Sequence, residues 1–245
     1  MRCLSADQIL EVWELGQAQH PLDRALTLLG FALPDQSRED LSKLSIGQRD
    51  ALLLMLRQQT LGEAMESCAT CPSCDESLEF TLKATELRLV EPSLAPPPAY
   101  NLTIADYALT VTLPNSRDLA AVVGCADLAT AQAKLAQRCI QQVSCGGVAI
   151  APNILPDSVL QQISQEMAER DPQAELLLDL TCPVCQSDWQ VLFDIVSFFW
   201  TELSVQAKRL LREVHALARS YGWREADILA MSSMRRQFYL DLVDA

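Results

Sequence analysis

Apolar positions recur at helical spacing through the first sixty residues of the chain. Ser5 is placed to cap a helix carrying Ile9, Leu10 and Trp13 on one side, and His20-Pro21 interrupts it. Leu22, Ala25, Leu26 and Leu29 form a second stripe ending at Gly30. Pro34 to Asp40 is polar and reads as a loop, after which Ser45 and Gln48 make a capping box ahead of Leu52, Leu53 and Leu56. The period then changes to two. Leu78, Phe80 and Leu82 alternate with polar residues, and Glu79 to Val90 is predicted to continue as strand. Glu91 to Pro98 is a stiff proline-rich linker. Its Pro97-Pro98-Ala99-Tyr100 fits a PPxY ligand pattern but reads more simply as a spacer.

Beyond the linker, Leu102 and Ile104 followed by Tyr107, Leu109, Val111 and Leu113 predict a hairpin turning near Ala105-Asp106. Asn115 and Ser116 are placed to cap a helix from Arg117, and Asp127 to start one with Leu128, Ala131, Leu135 and Cys139 on one face. Pro156-Asp157 opens a helix with Leu160, Ile163 and Met167 that closes near Asp171-Pro172. Ala174 to Leu180 reads as a strand. A second alternating run, Trp189, Val191, Phe193 and Ile195, extends into Ser197-Phe198-Phe199-Trp200. From Trp200 the period is helical again through Leu203, Ala207, Leu210, Leu211, Val214, Leu217 and Ala218, with Lys208, Arg209 and Arg212 on the other side. Tyr221-Gly222-Trp223 ends that helix, and short helices follow at Glu225 to Leu229 and Met234 to Leu242, the last capped by Ser232 or Ser233.

The two alternating runs share a preface. Cys71-Pro72-Ser73-Cys74 and Cys182-Pro183-Val184-Cys185 each place two thiols three positions apart, so one tight turn aims both sulfurs at a common point. Two such turns supply the four soft ligands that tetrahedral zinc prefers, and Cys71, Cys74, Cys182 and Cys185 are the predicted metal ligands. Cys68 leaves the register open, since it forms a three-cysteine run with Cys71 and Cys74. No glycine follows either turn: Asp75 and Gln186 stand there, and glutamine tolerates a left-handed position less readily than aspartate. A redox CPxC pair would need a helix after the motif to lower a thiolate pKa, whereas strand patterns follow both. Cys125, Cys139 and Cys145 show no ligand spacing and read as small buried residues.

These elements predict an α+β chain. Residues 1–60 form a helical region, 61–92 and 172–199 the two halves of a split zinc-ribbon-like β module, 93–171 an α/β insertion between them, and 200–245 a helical tail. The insertion accounts for the long spacing of the two knuckles, well beyond the usual ~15–20 residues. A net charge of -13 disfavours nucleic acid as a partner, and the acidity lies in residues 1–199, because 200–245 carries seven Lys/Arg against six Asp/Glu. Nine cysteines without a secretory signal point to a reducing compartment, the cytoplasm, and no apolar run is long enough to span a membrane. Two histidines, His20 and His215, stand without acid or nucleophile partners, and no phosphate-binding glycine loop occurs, so no enzyme activity is expected. Trp223, Arg224, Arg235, Arg236, Phe238 and Tyr239 are of the types favoured at protein interfaces and are the candidate partner-binding residues, with intramolecular packing as the competing use.

The run Leu210 to Ala218, leading into Tyr221 to Ala230 and ending Arg235-Arg236-Gln237-Phe238-Tyr239-Leu240-Asp241-Leu242, resembles the C-terminal signature of baseplate proteins. These come from contractile-tailed phages and phage-tail-like contractile injection systems, the group similar to the T4-type baseplate hub assembly protein. His20 to Ala25, Pro114 to Leu119 and both CPxC knuckles are further matching pieces. The resemblance implies a non-enzymatic assembly factor or structural subunit that contacts baseplate or tail proteins in the producing cell. Against it stand two other readings, a zinc-ribbon nucleic-acid adaptor using the last helices as a helix-turn-helix, and a CPxC thiol oxidoreductase.

Overall fold

The computed structural model describes residues 1–243; the final two positions of the expected 200–245 tail lie outside the described residues. Four helices open the chain: α1 (Ala6–Gly16), α2 (Pro21–Ala32), α3 (Arg38–Lys43) and α4 (Ile46–Leu61). Ser5 and Ser45 each close a reciprocal capping box with the glutamine three positions on, satisfying amides that a helix start otherwise leaves unpaired. His20 also has a structural use, its Nδ1 accepting the Leu22 N–H at 3.3 Å to cap α2. The polar stretch expected to be loop through Asp40 is helical from Arg38, because Ser37 Oγ accepts the Asp40 N–H at 3.0 Å and nucleates α3.

Next come two strands, β1 (Ala64–Thr70) and β2 (Ser77–Lys83), paired antiparallel, and a single turn of helix, α5 (Ala84–Leu87). The predicted strand to Val90 therefore stops at Lys83. Ala84 and Leu87, three apart, are both buried against the helical core, and that spacing suits a helical turn rather than a strand. The proline-rich linker is held by Gln48 Nε2 donating to Ala95 O at 2.8 Å. Tyr100, the last residue of its PPxY match, opens the next strand with the Arg170 guanidinium stacked over its ring at 4.3 Å, so intramolecular packing takes up that side chain.

A four-stranded antiparallel sheet follows, in the order β3 (Tyr100–Ile104), β4 (Tyr107–Val111), β5 (Ile140–Cys145) and β6 (Val148–Ala149). The helices α6 (Ser116–Ala120) and α7 (Leu128–Cys139) lie between β4 and β5, and α8 (Asp157–Arg170) comes after β6. Leu102, Leu109, Val111, Ile140 and Val143 pack with Leu160, Ile163 and Met167 in a hydrophobic cluster separate from that of the helices. Polar contacts anchor this unit to the start of α4 and to the segment after α5. Asp171 Oδ2 accepts the buried Gly47 N–H at 3.0 Å, Ile46 N–H donates to Pro114 O at 3.0 Å, and Gln173 Oε1 accepts from Leu89 N–H at 2.6 Å. A Cβ on Gly47 would lie 1.9 Å from Asp171 Oδ1, so only glycine admits this approach.

A second antiparallel pair, β7 (Leu176–Thr181) and β8 (Asp188–Phe193), leads directly into the long helix α9 (Ile195–Tyr221). The alternating pattern predicts strand as far as Trp200. Asp194 instead caps α9 by accepting the Val196 and Ser197 amides at 2.9 and 3.3 Å, and Phe199, not Trp200, is the fully buried ring. Leu203, Ala207, Leu210, Val214 and Leu217 continue the inward face as the spacing predicts, while Leu211 turns to solvent. Trp200 packs over α1, where its ring leaves no room for a side chain at Gly16. The chain ends in α10 (Glu225–Leu229), reached through left-handed Gly222, and α11 (Ser233–Val243), whose Arg235 N–H bonds Ser232 Oγ at 3.3 Å.

Two buried arginines clamp α9. Arg57 of α4 forks onto Glu202 at 2.8 and 2.5 Å, and Arg236 of α11 meets Glu213 at 2.9 Å. Removing one partner leaves the other charge without its counter-ion in a dry setting. Glu202→Ala is expected to lower unfolding free energy by about 3 kcal/mol in urea titration, since Arg57 would remain buried and uncompensated. A loss comparable to that of an exposed ion pair, below about 1 kcal/mol, would show that the clamp carries little.

Candidate metal centre

Both knuckles fold alike. After each first cysteine the chain turns back so that Cys71 N–H donates to Glu76 O at 2.8 Å and Asp75 N–H to Cys71 O at 3.0 Å; the second copy repeats this with Cys182 to Ser187 at 2.9 Å and Gln186 to Cys182 at 3.0 Å. The turn requires a left-handed residue after the second cysteine, and Asp75 and Gln186 both adopt φ +59°. Gln186 compensates with its own side chain, Nε2 donating to Pro183 O at 3.0 Å. Amides turn inward as well, Ser73 N–H lying 3.4 Å from Cys71 Sγ.

These hairpin tips meet. Cys71 Sγ lies 3.6 Å from Cys185 Sγ and Cys74 Sγ 3.6 Å from Cys182 Sγ, and all four sulfurs fall within 4.8 Å of one another. A tetrahedral ion with ~2.3 Å metal–sulfur bonds has sulfur–sulfur edges of about 3.8 Å, close to these separations. All nine cysteines are free thiols. The first cysteine of each knuckle is fully buried and the second exposed, giving the cluster a pseudo-twofold character, and Ser73 Oγ and Ser187 Oγ meet at 2.9 Å to join the two turns. The set can hold a metal ion.

Hydrogen bonds prepare one thiolate. The Cys185 and Val184 amides bring the Cys182 thiol down to about 7. At Cys74 the Glu76 amide acts in the same direction, but contact with the Cys185, Cys182 and Cys71 thiols outweighs it and pushes the thiol up to about 12. Four thiols this close cannot all ionise alone, because each new thiolate repels the others; a divalent cation removes that penalty.

The remaining cysteines stand apart from the cluster. Cys68, the alternative ligand, sits exposed in β1 opposite Glu79 and is not one of the four clustered sulfurs. Cys139 is buried in the core of the four-stranded sheet, while Cys125 and Cys145 are partly exposed. Strands β2 and β8 follow the knuckles, so neither lies at a helix start of the kind a redox CPxC uses.

The candidate partner-binding residues divide. Tyr221, Trp223 and Tyr239 form an aromatic cluster, the first two stacked at 4.4 Å and Trp223 meeting Tyr239 edge-on at 4.8 Å, with Arg235 over Tyr239 at 5.8 Å. Trp223 and Tyr239 also pack against the main core. Arg236 is withdrawn from the surface, only 4% exposed, its charge engaged by Glu213 and by Met231 O. Phe238, 62% exposed, and Arg224 remain open to solvent. Helical phase carries the distinction, since Arg236, Tyr239, Leu240 and Val243 share the inward face of α11 and Phe238 lies opposite.

Gln186→Gly is expected to raise stability by about 1 kcal/mol in urea unfolding, relieving the left-handed strain, and Asp75→Gly to give a smaller gain because aspartate tolerates that region. A loss of stability in Gln186→Gly would mean that the Gln186–Pro183 bond outweighs the strain. Metal held by the four sulfurs is expected to leave progressively as pH falls, because protons compete for thiolates. Retention that does not change between neutral pH and pH 4 would contradict thiolate ligation.

No helix among the described residues is long and apolar enough to cross a membrane. No curated protein and no solved structure matches the chain. A family model does: the one described as T4 bacteriophage base plate protein matches residues 31–200, more than two thirds of the sequence. The match contains both knuckles and ends at Trp200, ahead of the C-terminal run through which the resemblance is first visible. The chain belongs to the T4 bacteriophage base plate protein family.

Proposed function

We propose that this protein is an assembly factor or structural subunit of the baseplate hub of a contractile tail or contractile injection system. It acts through protein–protein contacts, in the cytoplasm of the producing cell and then in the particle. One structural zinc ion, held by Cys71, Cys74, Cys182 and Cys185, joins the two halves of its β module, and residues 93–171 form an insertion between those halves. The observation that carries this reading is the four-sulfur cluster inside a chain of a baseplate family. Cysteine-only donors at these separations favour zinc over harder cations, which take oxygen ligands. His20 serves as a helix cap and His215 is exposed on α9, which agrees with a role other than acid–base catalysis.

The C-terminal contact surface in this reading is Arg224, Arg235 and Phe238, with Trp223 and Tyr239 shaping it from behind. Arg236 belongs to the fold. Arg235→Glu with Phe238→Glu is expected to leave the melting temperature within about 2 °C, as surface changes do, while reducing recovery of tail proteins in a pull-down from producing cells at least fivefold. Undiminished recovery would remove the tail from the interface. Cys182→Ser is expected to lose the metal and to melt at least 10 °C lower, because binding free energy is folding free energy. Identical melting with and without Cys182 would exclude a structural zinc.

A further inference from the structure

An apolar groove of about 460 Å³ opens beside the metal module, between the two hairpins and the first turns of α9. Consecutive residues of β1 (66–69) and of β8 (191–193) line it, as they do where the edge of a strand rather than one of its faces borders a cavity. By contrast β2 and β7 contribute only the inward-facing Phe80, Leu82 and Leu178. That pattern places the groove along the outer edges of β1 and β8. Each strand pairs only with its own hairpin partner among the described residues, which leaves an unpaired row of backbone N–H and C=O groups on the other side. Neither strand carries the lysine, proline or bulge that usually blunts an edge.

The floor is apolar and the surroundings are acidic. Residues 63–83 and 175–194 hold nine Asp/Glu against the single cation Lys83, formally -8, and four thiolates around a divalent ion would add about two further negative charges. Glu66 and Asp194 stand at the groove itself. Leu192, itself in the groove lining, and Leu177, its partner across the hairpin, are about half exposed, so a strand added beside β8 would find apolar neighbours there. An edge of this kind selects its occupant: an extended chain for the backbone groups, apolar residues at alternate positions for the floor, and cations between them for the acidic rim.

We infer that the groove binds a partner segment in extended form, alternating apolar and basic residues, which adds as a strand to the free edge of β1 or β8. This surface is distinct from the C-terminal one and does not depend on it. The test uses the full metal-loaded chain and three fluorescent eight-residue peptides: alternating valine and lysine, the same with alternate amides N-methylated along one edge, and alternating valine and glutamate. The valine–lysine peptide is expected to bind, to weaken at least tenfold on N-methylation or between 50 and 300 mM salt, and to protect β1 or β8 amides from hydrogen exchange. Val191→Lys and Cys68→Arg, which place cations in the groove, are expected to weaken it at least tenfold while leaving metal content unchanged. Equal binding of the N-methylated or the glutamate peptide, protection confined to α11, absence of binding, or occupation of the edge by a second copy of the chain would each overturn the inference. Loss of tail-protein capture by the Arg235→Glu, Phe238→Glu variant with retained peptide binding would separate the two surfaces.

Discussion

The meeting of four sulfurs from two hairpin tips is the contact on which the arrangement of this chain depends. The cysteines that touch are 108 and 114 residues apart in sequence, and each hairpin alone is a two-stranded ribbon, which is marginal in water. Joining them fixes where the chain leaves, through α5 and the proline linker, and where it returns, at β7. An ion held by all four sulfurs would close a loop of about 100 residues and so remove on the order of 4–5 kcal/mol of unfolded-chain entropy, comparable to the net stability of many domains. The knuckles are shaped for this closure at a local cost. Two residues other than glycine accept a left-handed backbone so that both sulfurs of each turn face the same point.

A second tier of polar contacts carries that arrangement into the helices. Asp194 ends β8 and caps α9, so the geometry of the second hairpin sets the direction of the long helix. Arg57 and Arg236 then grip α9 from α4 and α11 through Glu202 and Glu213. Asp171, pressed against Gly47, ties the four-stranded unit to the start of α4. Burial raises the pKa of Asp171, and the Gly47 amide works against that rise by favouring the charged form. Nearby Asp50, against Arg49 at 2.7 Å, is lifted by burial to about 6; the folded chain takes up this proton before the unfolded chain does, so the contribution of this group to stability grows as pH falls from about 6 towards the ordinary carboxylate range.

Much of this was legible in the residues because the signals were local. Ser5, Ser45, Asn115 and Asp127 announce helix starts that the structure places within a residue, since a cap bonds amides only two or three positions away. The paired CPxC motifs gave the four sulfurs that the fold brings together. Errors arose where tertiary context overrides period. The run from Phe193 to Trp200 satisfies both a strand and a helix pattern, and it is the Asp194 side chain that decides for helix. Strand β2 ends at Lys83 because the core offers sites for Ala84 and Leu87. Arg236 looks like a surface cation in sequence; its counter-charge, Glu213, is 23 residues away on another helix and has no local signature.

In the proposed role the four sulfurs share one zinc ion. X-ray absorption at the zinc edge of protein purified without added metal tests it most directly. One zinc per chain is expected, with four sulfur neighbours at about 2.3 Å and no nitrogen or oxygen bound to it. A chain that is fully folded without metal, or zinc bound mainly by oxygen or nitrogen, would contradict it.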